Sequence, residues 1–103
     1  MILRSYRAIC WKLTLARRHG GGYDQGNSES NPGYLLVNQS QGQLIYVSIQ
    51  YRLDAFGFLS SAEIRENGAA NVALLDQRAA LNWVARNIRA FGGDPSKVRR
   101  HPT

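Results

Sequence analysis

Residues 43–51 constrain this chain more than any other stretch. Leu44, Ile45, Tyr46, Val47 and Ile49 make a near-continuous apolar run, rich in β-branched and aromatic residues and free of Gly and Pro. Such a run reads as a strand. It suits a strand covered on both faces, as in a parallel α/β sheet, better than one with a wet side. The strongest helical pattern follows at residues 71–90. Leu74, Leu81, Val84, Ile88 and Phe91 recur at seven, three, four and three residues, flanked by Leu75 and Ala85, which lays an apolar stripe along one face. Asn71 stands where an N-cap belongs, Arg86 and Arg89 suit the C-terminal dipole, and Gly92-Gly93 ends the pattern. The spacing predicts that Leu74, Leu81, Val84 and Ile88 pack on the 43–51 strand, an α/β arrangement.

The remaining segments are shorter. Residues 1–18 carry Ile2, Tyr6, Ile9 or Cys10, Leu13 and Ala16 at three-to-four spacing, which predicts an amphipathic basic helix. It is read as a misread or mis-spliced leader, with a mitochondrial targeting segment, which its acid-free and Arg-rich character resembles, as the alternative. Residues 19–33 read as a turn-rich loop and 34–39 as a short helical turn. Residues 52–61 read as a compact apolar loop holding Phe56, Gly57, Phe58 and Leu59, and 63–70 as a second loop around Asn67-Gly68. A turn is expected at 94–97, and Val98 looks like the start of a strand that Arg99-Arg100-His101-Pro102 does not continue.

The net charge of +6 invites a nucleic-acid reading, but its distribution excludes one. Residues 1–18 carry five basic side chains and no acid, residues 99–103 add two, and residues 19–98 sum to −1. Basic ends without an aromatic platform or a recognition motif give no specific nucleic-acid site. A lone cysteine, Cys10, precludes an internal disulfide and argues against a structural metal centre. No run reaches the ~18 apolar residues of a membrane span. Nothing in the composition assigns a compartment.

The candidate chemistry begins at His19-Gly20-Gly21-Gly22. Consecutive glycines permit backbone conformations closed to other residues. They let successive N–H groups converge on one point, as an oxyanion hole requires. A flexible glycine hinge is the plainer alternative. The rest of the chain weighs against it. Residues 45–59, Ile-Tyr-Val-Ser-Ile-Gln-Tyr-Arg-Leu-Asp-Ala-Phe-Gly-Phe-Leu, resemble a signature of the type-B carboxylesterase and cholinesterase family. So do residues 71–81, Asn-Val-Ala-Leu-Leu-Asp-Gln-Arg-Ala-Ala-Leu, then Trp83-Val84, Asn87-Ile88 and Phe91-Gly92-Gly93-Asp94-Pro95. The resemblance covers residues 19–98. It implies part of an α/β-hydrolase fold, a fragment of the central sheet with flanking helices. It also implies a serine esterase that takes a small carboxylic ester and needs no metal or other cofactor. By the same resemblance the backbone N–H groups of Gly21 and Gly22 are the oxyanion donors. His19 and Gly20 shape that loop, and His19 is not the general base.

Resemblance fails sharply at both edges. Family members carry an apolar strand before the glycine loop, where this chain has Ala16-Arg17-Arg18; burying two unpaired guanidinium groups is costly. After Val98 the family runs into Gly-x-Ser-x-Gly, and no such motif occurs in the 103 residues. Ser28 has Gly26 two before it but Ser30 two after; Ser40 has Gly42 two after but Asn38 two before. His101 lies in the departing tail and is read as incidental, so no member of a catalytic triad is assigned. The expected organisation is a doubtful leader at 1–18, a partial esterase domain at 19–98 and a departing tail at 99–103. That organisation is expected of a truncated product that is inactive alone. A non-catalytic interaction protein of the same family is the rival reading. Finally, Arg52 and Asp76 each interrupt an apolar segment. Two opposite charges in adjoining buried segments are expected to pair, and the family resemblance also implies a structural arginine–aspartate bridge there.

Overall fold

A computed structural model describes residues 12–30 and 32–101. Three parallel strands form one sheet: β1 (Lys12–Arg18), β2 (Leu44–Ile49) and β3 (Gly93–His101), in the order β2-β1-β3. Leu13 to Arg18 pair in register with Leu44 to Ile49, while Thr14 to Arg17 pair with Val98 to His101. Among the described residues there are four α-helices: α1 (Tyr34–Gln39), α2 (Asp54–Phe58), α3 (Ala62–Asn67) and α4 (Val72–Asn87).

The helices lie on opposite faces. Gly33, the N-cap of α1, sits so close to the Tyr46 ring that a Cβ there would collide with it. Ile88, just past α4, meets Ile45, Thr14 and Gly93 at one spot. Ile45 and Tyr46 are successive strand residues and so face opposite sides. The chain thus winds one way from β1 through α1 to β2, then back across β1 through α4 to β3. That reversal makes the carboxyl end of β1 a topological switch point, where open α/β sheets place their ligands.

The predicted helix over residues 1–18 is corrected where it can be seen. Residues 12–18 are the central strand, and the rest of that helix lies outside the described residues. The alternation Leu13/Leu15 against Thr14/Ala16 was hidden by Lys12, Arg17 and Arg18. Two hydrogen-bonded neighbours decide the conformation over local propensity. Thr14 and Ala16 are buried, and their small size lets α4 come close. Most of β2 is only half-buried, so the doubly flanked strand is β1 and not the 43–51 run.

Three further expectations change. The compact loop at 52–61 contains α2. The loop at 63–70 is largely α3, whose N-cap Ser61 accepts from the Ile64 N–H at 3.1 Å. Gly68 follows α3 immediately, so the Asn67-Gly68 pair ends a helix instead of centring a loop. Third, β3 does not stop at Val98. Arg99, Arg100 and His101 continue beside Leu15, Ala16 and Arg17. The 94–97 turn survives as an irregularity within β3, where Asp94 accepts from the Ser96 N–H at 2.9 Å and its hydroxyl at 2.7 Å.

The apolar seam of α4 is rotated from the expected one. Its buried residues are Ala73, Gln77 and Val84, continued by Ile88 in the 3₁₀ turn that follows, while Leu81 is half-buried. Leu74 is 45% exposed. The seam lies mainly against α2, β1 and β3, and reaches β2 where Ile88 meets Ile45. Gly57 of α2 fits against Ala73 with no room for a Cβ between them. Gly92, left-handed at φ 83°, closes the helical region as expected.

Ile88→Ala should therefore cost ~2–5 kcal/mol, because Ile88 fills the junction of α4, β1 and β3. Leu74→Ala should change stability by no more than about 0.5 kcal/mol. Urea unfolding of the two variants checks the contrast.

Candidate functional site

The site grows from the end of β1. His19 follows the strand and is 3% exposed, the glycine run follows it, and the loop returns through Tyr23 toward α2. Tyr51, past the end of β2, stacks on the His19 ring with centroids 4.4 Å apart and planes 14° apart. Its hydroxyl donates to the His19 carbonyl at 2.7 Å. Burial pushes the Tyr51 phenol up from its ordinary value, against the opposing pull of the Arg18 charge. The Tyr23 ring meets Tyr51 and Phe58 edge-on at 6.2 and 5.2 Å. The Asp54 N–H donates to the Tyr23 carbonyl at 2.7 Å and ties the loop to the start of α2.

Within the loop, Gly21, Gly22 and Tyr23 all take positive φ, at 121°, 67° and 72°. The Gly21 carbonyl accepts from the N–H groups of Asp24 at 3.3 Å and Gln25 at 3.2 Å. A Cβ at Gly21 would collide with the Gln25 carbonyl, whereas at Gly22 its nearest neighbour would be Asp24 Oδ1 at 3.4 Å. The His19 Nδ1–H donates to the Gly20 carbonyl at 3.0 Å, which leaves Nε2 as a buried acceptor without a partner among the described residues. Gly26 packs against Nδ1 of that ring and the Gly20 carbonyl, again with no space for a side chain. Among the described residues the N–H groups of Gly20, Gly21 and Gly22 donate to no protein acceptor. These three residues line a cleft of about 220 Å³ together with Arg18, His19, Tyr23 and Tyr51.

The structure therefore brings His19, Gly20, Gly21 and Gly22 into one cleft. Arg52 and Asp76 meet elsewhere, at the junction of α2 and α4. Arg52 Nη2 donates to Asp76 Oδ1 at 2.7 Å, Nε donates to Oδ2 at 2.7 Å, and the Arg52 backbone N–H also reaches Oδ2 at 3.1 Å. The expectation that both charges are buried is corrected: the side chains are 56% and 24% exposed. The penalty for stranding a buried charge does not apply at that exposure.

Three neighbours escaped the sequence reading. Tyr51 was quoted only as part of a longer segment. Gln77 lies on the buried stripe of α4, a polar residue in step with Ala73 and Val84, and that break in the pattern was a usable signal. Arg18 was noted as a misfit in a strand. Its Nη1 in fact donates to Gln77 Oε1 at 3.0 Å and to the Tyr23 hydroxyl at 3.2 Å. Among the described residues no group of His, Cys, Asp and Glu is arranged to hold a metal, and no helix is long and apolar enough to cross a membrane.

Two tests follow from this geometry. Gly21→Ala should disrupt the loop and lower the thermal midpoint more than Gly22→Ala, whose left-handed backbone has room for a methyl group. For the ion pair, the hydrogen bonds from Arg52 hold the Asp76 carboxyl below its ordinary value. That contribution is fully present above the unfolded value of about 3.9 and is lost as pH falls through the folded value. Asp76→Asn should thus flatten the acid limb of stability, read as the urea midpoint between about pH 6 and pH 2.

A sequence profile described as Carboxylesterase family matches residues 15–99. A secreted triacylglycerol lipase of Gibberella zeae is 49% identical over 83 residues, 77% of this chain and 14% of that protein. An acetylcholinesterase of Trittame loki is 49% identical over 80 residues, 78% of this chain and 14% of that protein. Among solved structures, EstA of Aspergillus niger superposes with a TM-score of 0.83 at 37% identity, over 89% of this chain and 18% of that one. The chain spans about one seventh of the length of the curated relatives it matches. Its parallel sheet with helices on both faces is part of an α/β-hydrolase fold, and the chain belongs to the carboxylesterase family.

Proposed function

We propose that residues 19–22 form the oxyanion-binding loop of a serine carboxylic ester hydrolase. The observation that carries this reading is the set of unpartnered N–H groups at Gly20, Gly21 and Gly22, bordering one cleft at the switch point of the sheet. Attack on an ester carbonyl puts a negative charge on its oxygen. Donors fixed in advance stabilise that charge without reorganising as it forms. Positive φ at Gly21 and Gly22 turns the peptide groups, and the lack of side chains admits the substrate. His19 serves as a clamp: one face lies on Tyr51 and Nδ1 is committed to the Gly20 carbonyl, so it holds the loop and does not act as a base. Arg52 and Asp76 tie the start of α2 to α4 beneath the loop, a structural role without proton transfer.

The nucleophile, base and orienting carboxylate are not among these 103 residues. A hole without its triad keeps only a residual part of the rate enhancement. The purified chain should therefore show no turnover of a p-nitrophenyl ester and no stoichiometric serine labelling by a fluorophosphonate. Turnover with one labelled serine per chain would refute this. The loop itself is tested in EstA of Aspergillus niger, with residues 15–99 of this chain replacing the matching stretch. The chimera should hydrolyse the ester, and Gly21→Ala in it, which keeps the N–H but displaces it through the clash with the Gln25 carbonyl, should lower kcat by ~10²–10³ with a smaller effect on KM. An unchanged kcat would remove the oxyanion role.

A further inference from the structure

The glycine loop has a cationic neighbour that an oxyanion hole made of backbone N–H groups does not need. Arg18, the last residue of β1, lines the same cleft as Gly20, Gly21 and Gly22. It is half-buried, and the described residues give it no carboxylate. Its polar partners are the neutral oxygens of Gln77 and Tyr23, both served by Nη1, and its guanidinium lies 5.9 Å from the centre of the Tyr23 ring. Among the described residues Nε and Nη2 donate to no protein acceptor. These two nitrogens form the edge of the fork that binds a carboxylate through two parallel hydrogen bonds. Gln77 and Tyr23 hold the guanidinium through Nη1, so the fork of this cleft-lining residue is already oriented.

We propose that Arg18 and the Gly20–Gly22 N–H groups together form a binding site for a permanent small oxyanion, specifically a carboxylate. The inference rests on reading those N–H groups as oxyanion donors and extends it from a transient charge to a stable one. A row of free N–H groups running into positive-φ backbone at Gly21 and Gly22 makes an anion-binding concavity. A full positive charge beside it, half-withdrawn from water and not neutralised by the protein, makes the field persistent. The opposing charge at this end of the molecule is Asp24, whose carboxylate lies beside Gly22 but is solvent-exposed and screened. In an ester hydrolase the carboxylate that fits is the acid product, or an ester whose acyl part carries a second carboxylate.

The test titrates the full 103-residue chain with acetate and follows the amide resonances of Gly20, Gly21 and Gly22. Saturable shifts are expected. Arg18→Gln, which can still bond Gln77 and Tyr23, should weaken them at least tenfold. Arg18→Lys, which keeps the charge but loses the fork, should weaken binding less than Arg18→Gln does, and Asp24→Asn should tighten it. Arg86→Gln, on the exposed face of α4, should leave it unchanged. A second readout uses the EstA chimera, where acetate should inhibit competitively and Arg18→Gln should raise its inhibition constant tenfold or more. Equal acetate binding in Arg18→Gln and the parent chain overturns the proposal and leaves the oxyanion reading standing. So does a chimera whose turnover acetate does not inhibit. If acetate shifts none of the three glycines and the chimera is inactive, both readings fall together.

Discussion

β1 hydrogen-bonds to β2 along one edge and to β3 along the other, and the rest of the fold is arranged around that double pairing. Thr14 and Ala16 point toward α4, and only side chains of that size let the helix approach the sheet. Ile88 and Gly93 then close the same seam from the far end. Because the chain leaves β1 in one direction and later recrosses it, the strand's carboxyl end is flanked by two connections that diverge to opposite faces. The glycine loop emerges there. Its position follows from strand order, before any property of its own sequence is considered.

Position alone does not shape a glycine loop, since three glycines sample many conformations. The restraint comes from outside them. His19 is gripped between the Tyr51 ring and the tight approach of Gly26, and the Tyr51 hydroxyl holds the carbonyl from which the loop departs. On the return side, the Tyr23 carbonyl is held by Asp54 and its ring by Phe58. The flexible part is thus short and anchored at both ends by aromatic rings. Ordered N–H donors are useful to a developing charge only when they are held this way.

How much of this was legible in the sequence depended on whether local pattern and tertiary context agreed. At α4 they agreed on the element, since a long apolar repeat ending in glycines has few other solutions. They disagreed on its face. Leu74 and Leu75 outweighed Ala73 and Gln77 by hydrophobicity, yet a helix pressed onto a sheet buries its smallest residues where contact is closest. At β1 they conflicted outright. Seven residues containing three cations show no strand until two neighbouring strands are supplied. The glycine loop was legible as a turn with unusual backbone, because positive φ at Gly21 and Gly22 follows from residue type. The cleft's other walls, Arg18, Tyr23 and Tyr51, are side chains from three segments, and no spacing rule joins them.

Two arginines mark the difference between a charge that stabilises and a charge left over. Arg52 commits the Nε–Nη2 edge of its guanidinium and its own backbone N–H to Asp76, and that pair is electrically closed. Its effect is mechanical, holding the start of α2 to α4. Arg18 meets only dipoles. Dipoles can orient a guanidinium, but they cannot cancel its charge, so the field at the end of β1 persists into the cleft. A half-buried cation also costs desolvation energy that an anion would offset. The fold supplies no such anion from its own described side chains. The glycine N–H groups share the same deficit, being donors without acceptors in the same few ångströms. Both deficits would be met at once by a negatively charged oxygen, which is what the proposed carboxylate site requires.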